Sequence, residues 1–182
     1  MSIPIRRFAV IDLETGGLNG SSDPIYQVAV VCGDLIEGHK SLNHLSSWST
    51  MIRLHRPWDR IGAQHIHHIS RWKLLLAPST RSALAQMFEL IGSRDIVAHN
   101  LAFDWKFLST AAKQHNLVLP TGSHTCTLKL SRRLDPDRQQ SHRLTDICQR
   151  YGIGITQAHD ALHDATATSQ ILPFLLRDQP AE

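Results

Sequence analysis

Cysteine is scarce: Cys32, Cys126 and Cys148 are the only three in 182 residues, and no two of them form a C-x-x-C pair. An odd, scattered set argues against a disulfide framework and a zinc site, and fits a reducing cytoplasm. No apolar run approaches the roughly 18 to 20 residues needed to cross a bilayer. Arg6 and Arg7 are not followed by an apolar stretch with a cleavage site, so neither a membrane partner nor an export signal is expected. Internal repeats, low-complexity tracts and linkers are also missing, which predicts a single domain over residues 1–182. Charge of one sign is not in large excess: the formal net charge is +3, which permits a nucleic-acid partner without demanding one. Apolar content is ample, at 42%, and suits one sizeable core.

The chain is organised around residues 8–18, Phe-Ala-Val-Ile-Asp-Leu-Glu-Thr-Gly-Gly-Leu. An apolar, β-branched run predicts a buried strand, yet two acids stand where such a strand carries Val or Ile. Side chains two apart share a face, which sets Asp12 and Glu14 side by side, about 6 to 7 Å apart along the chain. Paired acids repel and lose hydration, and a divalent cation between them is the simplest remedy. The alternative is a strand end with two surface acids, ahead of a Thr15-Gly16-Gly17 turn.

A turn over 16–24 and an apolar run over 25–32 predict an antiparallel hairpin, and 47–54 predicts a third strand of the same meander. Residues 55–79, with Pro57 and Pro78, predict irregular structure with one short helix. Helix and strand then alternate: helix 80–90, strand 95–98, helix 103–115, a short strand near Thr125, and helix 128–134. Such alternation implies parallel strands with crossover helices, hence an α/β fold with a mixed sheet. Ser141 is a candidate cap for a helix ending at Tyr151, and a last helix over 160–177 carries Pro173, expected to bend or disrupt it.

Two more acids fall on apolar helix stripes. At 100° per residue Asp104 shares a face with Phe107, Leu108 and Ala111, and Asp164 lies near the stripe of Thr168, Ile171 and Leu175, with Asp160 further toward the edge. Each has a plainer reading: Asp104 as a first-turn acid favoured by the helix dipole, Asp164 as a solvated helical Asp. His159 would sit about 140° from Asp164 if both were helical, which places it on the preceding loop, free to turn over the same region or to serve as a cap or surface residue. The coincidence of an acid pair, two core-facing acids and one loop imidazole favours a shared site. His65, His67 and His68 lack helical ligand spacing and read as surface histidines rather than a metal site.

Asp12-Leu13-Glu14-Thr15, His99-Asn100-Leu101-Ala102-Phe103-Asp104 and His159-Asp160-Ala161-Leu162-His163-Asp164 resemble, in order, the D-x-E-T, N-x-x-F-D and H-x-A-x-x-D motifs of the DEDDh 3′–5′ exonucleases. Ile66-His67-His68-Ile69 and Thr125-Cys126-Thr127-Leu128-Lys129-Leu130 are similar to connecting segments of the proofreading epsilon subunit of bacterial DNA polymerase III. The resemblance implies a ribonuclease H-like α/β fold, with a five-stranded mixed sheet flanked by helices. It implies two divalent cations, Mg2+ or Mn2+, held directly or through water by Asp12, Glu14, Asp104 and Asp164, with His159 as general base. It further implies hydrolysis from the 3′ end of DNA to 5′-mononucleotides, in proofreading, repair or end trimming. Four carboxylates match the charge of two divalent ions, and hard oxygen donors suit magnesium or manganese better than zinc.

By the same resemblance the backbone of Thr15 and Gly16 meets the terminal sugar, Leu18 and Phe103 pack beside its base, and His67 and Asn100 lie nearby. The family often has a second Thr where this chain has Gly16. An RNA-trimming exoribonuclease is the second reading, and a non-catalytic nucleic-acid-binding module the third. Polymerase association is implied as an option, although no long polymerase-binding tail follows the last helix.

Overall fold

In the computed structural model, which describes residues 5–36, 42–154 and 159–179, the central strand is β1 (Ile5–Thr15). It pairs antiparallel with β2 (Ile25–Ile36), which pairs antiparallel with β3 (Asn43–Met51). On its other side β1 pairs parallel with β4 (Asp95–Ala98), and β4 with the edge strand β5 (His124–Cys126). The order β3-β2-β1-β4-β5 is the expected five-stranded mixed sheet.

Seven helices join and cover these strands among the described residues: α1 (Gln64–His67), α2 (Arg71–Leu75), α3 (Thr80–Ile91), α4 (Leu101–Gln114), α5 (Thr127–Arg133), α6 (Leu144–Arg150) and α7 (Ala161–Arg177). The period-two alternation of β1 sorts them into layers. Ala9, Ile11 and Leu13 belong to a core shared with Leu84 and Met87 of α3 and Phe107 and Leu108 of α4. Phe8 and Val10 belong to the opposite core, with Ile147 of α6 and Ile171, Leu172 and Leu175 of α7. The even-numbered side chains of β1 therefore point toward α7, and Asp12 and Glu14 continue that row.

Four local expectations are corrected. The third strand lies over 43–51 rather than 47–54, because an edge strand needs no apolar alternation to pair, and buried Ile52 follows it as a loop residue tied to Tyr26. Residues 55–79 hold two short helices instead of one. Helix α6 starts at Leu144, with Arg143 at its N-cap; the Ser141 hydroxyl bonds Asp146 instead. Helix α7 runs through Pro173, which is itself buried, so packing outweighs the lost backbone hydrogen bond. No described helix is long and apolar enough to cross a membrane.

Candidate active site

The end of β1 and the start of α7 bring three carboxylates together. Oxygens of Asp12, Glu14 and Asp164 all lie within 4.8 Å of one another. The strand supplies the first two from one face, and a register shift between Glu14 and Thr15 ends the regular ladder at that point. Asp164 comes from the first turn of α7, on the face that covers the even-numbered residues of β1.

Three acids this close resist ionisation. Burial, then the charges of Asp104, Asp164 and Glu14, holds the Asp12 carboxyl well above its usual range. Burial together with Asp164 and Asp160 pushes Glu14 up to about 7. Burial also raises Asp164, against the pull of the His159 backbone N–H, which donates to Asp164 Oδ2 at 3.3 Å. Asp104 is buried, and burial pushes it up to about 8, opposed by backbone hydrogen bonds at Asp104 and Leu13. It is not one of the three clustered acids, but its charge is felt by Asp12, and α4, which carries it, packs on the odd-numbered face of β1.

His159 is an exposed turn residue with φ 66°, ahead of α7 as its spacing from Asp164 predicts. Asp160 is the N-cap of α7, accepting from the N–H groups of Leu162 at 3.0 Å and His163 at 3.3 Å. Burial would raise Asp160, but hydrogen bonds from Gln27, His163 and Leu162 outweigh it and hold its carboxyl low. It is thereby kept charged as a cap instead of sharing a proton with the site.

Gln27 is a neighbour of this site that the motifs do not reveal. It is buried on β2 directly opposite Glu14; its Nε2 donates to Asp160 Oδ2 at 3.2 Å and its Oε1 accepts from Ala161 N–H at 3.4 Å. One amide thus ties the sheet to the helix start that carries Asp164 and, one residue before the cap, His159. The available signal was a lone amide inside the apolar run 25–32. Gln27→Leu fills the same space without the hydrogen bonds, leaves the Ala161 N–H unpaired, and should cost about 1 to 3 kcal/mol of stability in thermal unfolding.

A second network shapes the loop after β1. Tyr26 Oη accepts from Gly62 N–H at 3.0 Å, and His67 Nε2 lies 2.9 Å from Gly62 O while Nδ1 accepts from Ile69 N–H at 3.0 Å. His67 is buried, not the surface histidine its context suggests: burial lowers its pKa, and Nε2 is the protonated nitrogen that donates to Gly62. Gly62 in turn lies against Gly16, where a Cβ on Gly62 would come within 1.9 Å of Gly16 O. A Cβ on Gly16 itself would meet Pro24 and Tyr26 Oη at 2.9 Å, so a Thr there would require both side chains to shift. The Gly16 N–H donates to Pro24 O at 2.8 Å, so it is already engaged within the protein.

Of the other sequence candidates, Thr15 is buried with its hydroxyl donating to Gly17 O at 2.7 Å. Leu18 is 85% exposed, and Phe103 is half-buried with its ring 4.9 Å from that of Phe107. Asn100, exposed and at φ 69°, is the N-cap of α4 without using its side chain as a cap.

The donor set fits divalent cations. Asp12, Glu14 and Asp164 offer clustered hard oxygens, and burial, with repulsion from neighbouring acids, holds all three above the usual carboxylate range.

Among known proteins, the chain is 29% identical over 171 residues to DNA polymerase III PolC-type of Bacillus cereus, matching 94% of this chain and 11% of that one. It thus spans about a tenth of the length of the curated relatives it matches. Its fold is similar to exonuclease X in complex with 5′ overhanging duplex DNA, at TM-score 0.68 and 25% identity over 93% of this chain and 91% of that one. It is also similar to E. coli exonuclease I in complex with a dT13 oligonucleotide, at TM-score 0.74 and 20% identity over 93% of this chain and 41% of that one. The sheet order and helix layers agree with the ribonuclease H-like fold of these neighbours. Residues 9–172 match the RNase_T exonuclease family, and the chain belongs to it.

Proposed function

We propose that residues 1–182 form one exonuclease domain that removes 5′-mononucleotides from the 3′ end of DNA with the help of two divalent cations, Mg2+ or Mn2+. The observation that carries this reading is the convergence of Asp12, Glu14 and Asp164 within 4.8 Å at the end of β1, with Asp104 beside them. These four acids would hold the cations. When bound, such ions stabilise charge on the phosphate and leaving oxygen and acidify the attacking water.

His159 is the general base. An imidazole is suited to take a proton from water at neutral pH, and the His159 backbone is already tied to Asp164 at the edge of the acidic site. Leu18 and Phe103 offer apolar surface to the terminal base, and Asn100 an exposed amide beside it. Thr15, Gly16 and His67 act differently: their polar groups are bonded within the protein, so they set the shape of the wall that receives the terminal sugar.

DNA is favoured over RNA because the polymerase relatives act in DNA synthesis by name and the structural neighbours hold DNA. Proofreading, repair and end trimming all fit this chemistry, with polymerase association and a cytoplasmic setting as parts of the proposal. Matched single-stranded DNA and RNA test it: mononucleotides should accumulate faster from DNA, and EDTA should stop release. Faster release from RNA would favour the exoribonuclease reading, and no metal-dependent release from either would reject the enzyme. His159→Ala should lower kcat about 100-fold or more; an unchanged kcat would remove His159 as base.

A further inference from the structure

We infer that the exposed face of α5, with the Arg138 turn, binds the phosphate backbone of the substrate strand on the side away from the 3′ terminus. This rests on the reading of a nucleic-acid substrate and extends it to a surface outside the acidic site. Lys129, Arg132 and Arg133 stand at i, i+3 and i+4, one face of a helix. Arg138 joins them from a turn in which it adopts φ 56° and Asp135 accepts the N–H groups of Gln139 and Gln140 at 3.1 and 2.8 Å. The four side chains are exposed and line one hollow of about 280 Å³ that no acid lines. None of the four has an ion pair among the described residues.

Four like charges around one concavity repel, and among the described residues only Arg138 feels a nearby carboxylate, that of Asp135. A row of phosphates offsets them, with release of condensed counterions. The location connects this surface to the site. A second hollow, of about 550 Å³, shares Lys129 and Arg133 and is also lined by Leu101, Ala102 and Trp105 of α4, the helix whose first turn carries Asp104 on another face. Trp105, half-buried with its ring 4.2 Å from that of His124, gives this path an aromatic surface for a base. The start of α5 is held beside that turn by His99, whose Nδ1 lies 3.0 Å from Thr127 Oγ1. The strand leaving the acids would therefore pass Trp105, then Lys129 and Arg133, then Arg132 and Arg138.

The test uses the whole chain with Lys129, Arg132 and Arg133 all changed to Ala, and a fluorescein-labelled oligothymidylate titrated in EDTA over a range of salt. With about 20 nucleotides, affinity should fall at least about tenfold, and the slope of log K against log salt should flatten by about 2, three phosphates at ~0.7 each. Hydrolysis of a thymidine dinucleotide, too short to reach α5, should keep its kcat and KM. The charge-preserving variant Arg132→Lys with Arg133→Lys should retain the parental slope. Unchanged long-strand affinity and slope would overturn the proposal, as would an equal loss on the dinucleotide or failure of the Lys variant to keep the slope. Binding is read without metal or turnover, so a chain that binds DNA along α5 yet hydrolyses nothing would reject the nuclease reading alone.

Discussion

Asp12→Asn is expected to cut turnover in the proposed exonuclease reaction by about three orders of magnitude or more, since in that proposal it removes one cation ligand worth several kcal/mol of transition-state stabilisation. The same substitution should make the metal-free protein more stable at pH 8. Asp12 is the acid most crowded by others: Asp104, Asp164 and Glu14 all raise its pKa in addition to burial. An amide of the same shape keeps the packing and removes that repulsion. Activity and stability thus move in opposite directions, which a merely structural residue would not produce. Loss of both together, or full activity, would remove Asp12 from the role proposed for it.

The second large effect is on stability against pH. Glu14 ionises near 4.5 when unperturbed and about 7 in the fold, and Asp104 near 3.8 and about 8. Because the folded values are raised, the native state binds more protons than the unfolded chain between pH 4 and 8, and stability must fall as pH rises through that window. Below pH 4 both states are protonated and the penalty is absent; above pH 8 it is complete. For the metal-free protein the rise of Glu14 alone corresponds to a loss of about 3 kcal/mol, or roughly 6 to 12 °C in Tm for a domain of this size, and Asp104 adds to it. Divalent cations replace the protons, so Mn2+ at about 100 times its Kd should restore about 2.7 kcal/mol at pH 8 and much less at pH 5. A Tm that is flat from pH 5 to 8, or indifferent to Mn2+, would show that the acids do not form a cation site.

Asp12 and Glu14 were legible in the sequence because a strand has a period of two and an acid breaks an apolar run visibly. Asp104 and Asp164 were legible because each falls on a helix stripe otherwise occupied by Phe107, Leu108, Ile171 and Leu175. The meander and the alternating helices and strands followed from the same periodicities. Local patterns could not report contacts made across long sequence separations. Gln27 matters through Asp160, 133 residues away, and Tyr26 through Gly62. His67 looks like one of three surface histidines until the fold shows both its nitrogens bonded inside the loop. The polar strand 43–47 was invisible for another reason: an edge strand pairs through its backbone, and Asn43, His44 and the serines carry no apolar signal. Lys129, Arg132 and Arg133 share a helix face by spacing alone, but only the turn at Arg138 closes them into a hollow.

The most direct measurement is the end from which a strand shortens. A single-stranded DNA carrying one label at its 5′ end, and a twin labelled at its 3′ end, are each incubated with the protein and Mg2+. The account predicts a ladder of progressively shorter 5′-labelled fragments, immediate release of labelled mononucleotide from the 3′-labelled twin, and neither product from Asp12→Asn or in EDTA. Internal cuts, shortening from the 5′ end, or the same ladder from Asp12→Asn would contradict it.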